Sequence, residues 1–194
     1  MKLKIFKFKK VTSTNDTAMI LIKKGRKKSG CVFSSLQTKG RGTRGKKWLS
    51  YKGNLFVSIF FELKKNHPPF NEFSIINPVI IKNTLKIFCK NQSISLKYPN
   101  DLLLNGKKFC GVLQEMITFN NKKYLIIGIG ININSSPKTL NRINFTNILL
   151  ETQKKITLTK VIKNLTFNYE KFFLNLKSYN YKKFKTKAES MVLN

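Results

Sequence analysis

The dipeptide Asn105-Gly106 constrains this chain more than any other pair of residues. A type I′ turn needs positive φ at both central positions, which Asn tolerates and Gly adopts freely. Strand-like runs flank it, Asp101 to Leu104 before and Phe109 to Phe119 after. An antiparallel hairpin is therefore expected, and Asn120-Asn121 turns the chain again into a strand from Tyr124 to Ile133. Ile94 to Lys97 reads as a further short strand, separated from Asp101 by Pro99. Asn54 to Leu63 is the clearest strand, with Leu55, Val57, Ile59 and Phe61 along one face. Cys31 to Leu36 reads as a buried strand and Leu3 to Lys10 as the first.

Helical signals fall between these strands. Ser13 and Thr14 offer an N-cap, with Asp16 three positions after Ser13, a weak capping-box match. Ala18, Met19, Leu21 and Ile22 form the apolar face and Gly25 closes the helix. Phe73 to Lys90 has helical spacing with Pro78 inside, so the helix either starts near Asn77 or carries a kink. Leu158 to Leu176 is helical, and a Lys-rich helix follows to about Ser190. The order predicts an α+β fold, a mixed β-sheet with helices packed on one face. At 194 residues with 41% hydrophobic content, residues 1–194 are expected to form a single domain.

Composition excludes some classes. No run of 18 apolar residues exists to cross a membrane as a helix. The N-terminus alternates Lys with apolar residues, unlike a secretory signal, and Cys31, Cys89 and Cys110 lie in apolar surroundings without metal-ligand spacing. Cytoplasmic placement and reduced cysteines are the expectation. The net charge of +30 suggests nucleic-acid binding, but 34 of the 38 basic residues are lysine and Asn, Ile and Phe are abundant. Nucleic-acid surfaces draw on Arg for bidentate contacts, so the charge reads as coding bias over a solvated surface.

The chemistry concentrates in two segments. The first is Gln37-Thr38-Lys39-Gly40-Arg41-Gly42-Thr43-Arg44-Gly45-Lys46-Lys47-Trp48, which holds the only tryptophan. It matches G-x-G-x-x-G and nearly matches a P-loop, although Lys47 stands where Ser or Thr binds magnesium. Both motifs need a helix to begin at once, and Lys46 to Asn54 has no apolar helical period. What remains is a cationic loop, expected to repel itself and stay mobile until an anion orders it. The second segment is Lys97-Tyr98-Pro99-Asn100-Asp101, followed by Lys108-Phe109-Cys110-Gly111-Val112-Leu113-Gln114-Glu115. Together the two suggest a site that binds a nucleotide's phosphates beside a small carboxylic acid.

These segments, with Ser13-Thr14-Asn15 before them and Gly128-Ile129-Gly130-Ile131-Asn132 after them, resemble the catalytic domain of bacterial biotin protein ligases. The resemblance implies a fold like that of class II aminoacyl-tRNA synthetases. It implies activation of biotin by ATP and Mg2+, then transfer to a lysine of a biotin carboxyl carrier protein. Ser13, Thr14, Asn15, Gln37, Gly40, Arg41, Lys108 and Gly111 would hold biotin. Arg41, Arg44, Trp48, Asn100, Asp101, Lys108 and Asn132 would hold ATP or the adenylate. Lys108, Arg41 and Asp101 would carry the chemistry, with Asp101 also on magnesium, and Glu115 would be structural. Thr43 stands where many relatives have a further arginine, Tyr98 where they have Trp and Cys110 where they have a small residue. The DNA-binding domain and C-terminal β-barrel of bacterial relatives are expected to be absent, so no specific DNA binding is expected. Oligomeric state stays open between monomer and homodimer. The alternatives are a lipoate or octanoate ligase of the same fold, and a nucleic-acid-binding basic protein.

Overall fold

A computed structural model describes residues 1–25, 27–138 and 143–192. Seven strands form one mixed sheet: β1 (Ile5–Phe8), β2 (Ser29–Ser34), β3 (Leu55–Glu62), β4 (Ile94–Lys97), β5 (Asp101–Leu104), β6 (Lys107–Phe119) and β7 (Lys122–Ile131). Their order across the sheet is β1-β2-β3-β7-β6-β5-β4. Among these strands β1 and β2 run parallel and every other neighbouring pair is antiparallel. The parallel pair needs a crossover, and α1 (Thr14–Lys23) supplies it.

Both asparagine turns form as their residue types demand. Asn105 and Gly106 have φ of 50° and 78°, and Asn120 and Asn121 have 46° and 57°. These are type I′ values, which match the right-handed twist of the flanking strands. One expected alternation is broken. Leu102 pairs with Cys110 but Leu103 pairs with Lys108, so Phe109 is an extra residue on β6. Phe109 and Cys110 consequently both enter the core, and Lys108 moves to the face that Gly111 occupies.

The expected mixed sheet with helices stands, and most of the helical mass does lie on one face. There α2 (Phe73–Leu85), α4 (Leu158–Leu174) and α5 (Tyr181–Glu189) cover Cys31, Val57, Ile59, Phe61, Leu125, Ile127 and Ile129. The helix α2 begins at Phe73, not near Asn77, and runs through Pro78. On the opposite face α1 packs Ala18 and Ile22 on Val32, Phe60 and Ile126. Two-sided cover explains why seven of the eight β3 residues are buried rather than every second one. The three thiols are free and buried, and burial pushes Cys31 up to about 12 and Cys89 to about 11.

The tail closes the open edge of the sheet. Asn180 caps α5 by accepting a hydrogen bond from the Lys183 amide at 3.1 Å. Ala188 and Met191 are buried, and the Leu96 amide donates to the Met191 carbonyl at 2.6 Å, leaving Val192 bridged to β4. A short helix absent from the sequence reading, α3 (Ile148–Thr152), precedes α4 and is capped by Asn147, which accepts from the Leu150 amide.

Candidate active site

The α1 face of the sheet carries a cavity of about 550 Å³. Its floor is built by alternation in Gly128-Ile129-Gly130-Ile131. The isoleucines face the core, and the glycines leave the other face bare beside Gly111, which pairs with Gly130 across β6 and β7. Glycine in a strand often marks a close approach, and here the approach is visible. A Cβ on Gly130 would come within 2.6 Å of the Trp48 Nε1, and one on Gly111 within 2.6 Å of the same indole. A Cβ on Gly128 would overlap the Asn15 amide. Trp48 therefore rests against the floor, held by its amide donating to the Gly40 carbonyl at 2.9 Å.

At one end stand the hydroxyls and amides that begin α1. Ser13 caps the helix, and its Oγ accepts from the Asp16 amide at 3.5 Å. Gln37 Oε1 accepts from the Thr14 amide at 2.8 Å and from its hydroxyl at 3.1 Å, while its Nε2 donates to Ser50. Beneath them the Ser58 hydroxyl bonds Thr14 Oγ1 at 2.8 Å and Asn15 Oδ1 at 2.5 Å. With Oδ1 held there, Asn15 Nδ2 donates to Glu115 Oε2 at 2.7 Å. The amide plane of Asn15 is thus fixed from both ends. Ser58 was not singled out from the sequence, although it is the lone polar residue within Leu55–Phe61.

At the other end Lys108 and Asp101 form an ion pair of 2.7 Å, with both side chains about one-fifth exposed. The Lys108 ammonium also lies 5.7 Å from the Trp48 ring, within cation–π range. Asn100 donates to the Val112 carbonyl at 3.2 Å. Asn132 donates its Nδ2 to the Thr146 carbonyl at 3.2 Å, which leaves its Oδ1 buried with no partner. Trp48 Nε1 is likewise buried without one. Unmet buried polar atoms are rare and costly, and both belong to residues lining the cavity. Behind Asn132, Asn54 Oδ1 accepts from the amides of Ile133, Asn134 and Ser135 at 2.9, 3.1 and 3.2 Å. The segment Ile143–Asn147 returns along Lys108, so that Ile143 and Phe145 wall the cavity.

The Gly-rich loop is compact and does not open a helix. Thr43–Gly45 is a single 3-10 turn, closed by Gly42 N donating to Lys46 O at 2.7 Å. The self-repulsion expected of it is offset at Arg41. Glu115 accepts two bonds from that guanidinium at 2.7 Å each, and Asp16 accepts a third at 2.7 Å. The hydrogen bond to Glu115 is the main reason the Arg41 pKa lies above its ordinary value.

The cavity therefore gathers Ser13, Thr14, Asn15, Gln37, Arg41, Trp48, Asn100, Asp101, Lys108, Gly111 and Asn132. Two residues named from the sequence lie off its lining. Gly40 is buried behind Trp48 and Ser50, and Arg44 is exposed with φ of 54°. Among the described residues no group of three His, Cys, Asp or Glu is placed to hold a metal. Asp101 is the only carboxylate among the described lining residues. Magnesium commonly binds one protein carboxylate together with substrate phosphates, so a site of this kind fits it.

Comparison with known proteins agrees with this geometry. A family model described as biotin/lipoate A/B protein ligase matches residues 5–132. The bifunctional ligase/repressor BirA of Bacillus spizizenii is 28% identical over 189 residues, which is 94% of this chain and 58% of that protein. The biotin–[acetyl-CoA-carboxylase] ligase of Paracoccus denitrificans is 29% identical over 127 residues, 64% of this chain and 52% of its own length. This chain thus spans little more than half of those relatives. Among solved structures, the Aquifex aeolicus biotin protein ligase in complex with biotin and ATP superposes with a TM-score of 0.81 and 30% identity. That match covers 98% of this chain and 78% of the other. The Leishmania major ligase in complex with biotinyl-5-AMP also gives 0.81, at 25% identity, covering 98% of this chain and 81% of the other. With the family model covering most of the chain and its two named segments meeting in one cavity, the chain belongs to the biotin/lipoate A/B protein ligase family.

Proposed function

We propose that the chain is an ATP-dependent biotin–protein ligase. It joins biotin to AMP with release of pyrophosphate, then passes biotin to a lysine of a biotin carboxyl carrier protein. One observation carries the reading: a hydroxyl-and-amide end (Ser13, Thr14, Asn15, Gln37) and a lysine-carboxylate end (Lys108, Asp101) face each other across one glycine floor. The first end offers hydrogen-bonding groups to a neutral polar ring, and the second offers a cation to a carboxylate and a phosphate. The Aquifex relative holds biotin and ATP, and the Leishmania relative holds the adenylate that joins them.

In the first step an oxygen of the biotin carboxylate attacks the α-phosphorus, and the bond to the pyrophosphate oxygen breaks. Negative charge grows on the phosphoryl oxygens, so positioning and a nearby cation matter more than a general base. Lys108 is that cation. It exchanges Asp101 for the reacting oxygens, and the freed carboxylate, the one among the described lining residues, would be able to take magnesium. Held by Asp101, magnesium would supply charge neutralisation to the phosphates. In the second step the carrier amine must lose its proton before it attacks the mixed anhydride, since an unperturbed lysine has a pKa of about 10.4. Asp101 accepts that proton, AMP leaves, and an amide bond forms. Asn132 Oδ1 and Trp48 Nε1, both unmet, supply an acceptor and a donor to the nucleotide portion.

Incubation with ATP, magnesium, biotin and an apo carrier domain tests this directly. Pyrophosphate release with biotin on the carrier lysine is the expected result. Lipoate outcompeting biotin would reassign the chain to the other branch of the family, and no turnover with either would refute the reading.

A further inference from the structure

Arg41 and Glu115 lie 74 positions apart, one in the Gly-rich loop and the other on β6, yet they form the one bidentate ion pair among the described residues. Arg41 Nη1 donates to Glu115 Oε1 and Nη2 to Glu115 Oε2, each at 2.7 Å, and Nη2 donates a further bond of 2.7 Å to Asp16 at the start of α1. Such bidentate pairs are the strong ones, and this one is geometrically specific. The chain has only eight acidic residues against 38 basic ones, and two of the eight converge on this single arginine. Glu115 does one more thing: its Oε2 also accepts from the Asn15 amide, which Ser58 holds from the far side. A single carboxylate therefore ties the loop to the hydroxyl-and-amide end of the cavity.

We propose that Glu115 is a positioning residue that latches the Gly-rich loop, through Arg41, onto Asn15 and so closes the cavity before any phosphate is bound. This deepens the ligase reading and rests on it. The Arg41 guanidinium then serves the loop rather than the nucleotide, because three of its N–H donors already face Glu115 and Asp16. The latch also sets the place of Trp48. Its amide is bonded to Gly40, next to Arg41, so a loop released at Arg41 takes the indole off the floor.

The sole tryptophan makes this measurable without turnover. In the ligand-free protein, Glu115→Gln and Glu115→Ala are expected to raise acrylamide quenching of Trp48 at least twofold and to shift its emission to the red. With substrates, the KM for biotin is expected to rise tenfold or more, the scale of one charge-assisted contact, while kcat changes less than threefold. Arg41→Ala combined with Glu115→Ala is expected to cost less than the sum of the two single variants, since each removes the same ion pair. Unchanged quenching in Glu115→Gln, in a variant with an intact melting transition, overturns the latch. Additive effects in the double variant, or a lowered melting temperature with KM and quenching unmoved, overturn it as well. A wild-type protein that makes no adenylate refutes the ligase reading instead, and the quenching comparison still decides the latch.

Discussion

The ammonium of Lys108 lies 2.7 Å from the carboxylate of Asp101, a contact that strict strand alternation would not have allowed to share the Gly111 face. With Phe109 as an extra residue, Lys108 and Gly111 come to the same side of β6 although they are three positions apart. Bulges next to functional sites re-aim side chains in this way.

Replacing Lys108 should therefore strike the chemistry. Lys108→Ala removes the cation from the reacting centre and leaves Asp101 without its partner. Pyrophosphate release from ATP and biotin is expected to fall more than about tenfold, as for a lost charge-assisted contact of 1.5–3 kcal/mol. A rate equal to wild type would take Lys108 out of its assigned role.

The glycine floor predicts a contrast between two neighbours. A methyl at Gly128 meets Asn15, which is buried and tethered to Ser58 and Glu115. Gly128→Ala should cost about 1–3 kcal/mol in urea denaturation, the usual range for overpacking. A methyl at Gly130 meets the Trp48 indole, which sits on a half-exposed loop and is able to yield. Gly130→Ala should shift the tryptophan emission with less than about 1 kcal/mol of stability lost. Equal costs for the two would show that the indole is as firmly held as Asn15.

Asn54 is fully buried and accepts from three successive amides at Ile133, Asn134 and Ser135. Asn54→Ala should destabilise the fold by at least about 1–3 kcal/mol, the cost of one buried donor left unmet. Urea titration measures this, and a neutral result would mean that water reaches the turn.

Glu151 links α3 to the β5–β6 hairpin. It accepts from the Thr146 hydroxyl at 2.6 Å and Asn105 Nδ2 at 2.7 Å, with Lys107 at 3.3 Å. The Thr146 bond leads in holding its pKa below the usual carboxylate value. A lowered folded pKa means stability that is present above the unfolded value and lost as pH falls through the folded one. Glu151→Gln should thus be less stable than wild type at pH 7, with the gap narrowing below the ordinary glutamate range. Denaturant midpoints across that window test it; a constant gap would assign the loss to packing.

Much of the fold was legible because its signals are local. Asn105-Gly106 and Asn120-Asn121 carry their turns in two residues, so the β5–β6–β7 meander could be read directly. The Ser13 cap and the Lys-rich α5 followed from neighbouring residues in the same way. The alternation of Gly and Ile at 128–131 even marks a bare strand face, though not what lies on it. Strand ends were less readable: β2 closes at Ser34 rather than Leu36, and β7 at Ile131 rather than Ile133, where Asn54 captures the next amides.

Sequence by itself determined the strands, the turns and which residue types carry chemistry, since those depend on contacts a few positions away. Tertiary structure decided which of them meet. The slip in pairing between β5 and β6 turned Lys108 toward the cavity, and two-sided packing gave β3 a buried Ser58 under Thr14 and Asn15. Glu115 became the partner of Arg41 only when β6 and the loop came together across 74 positions. Register and long-range ion pairing arise from the whole sheet closing on its core, and no local period encodes them.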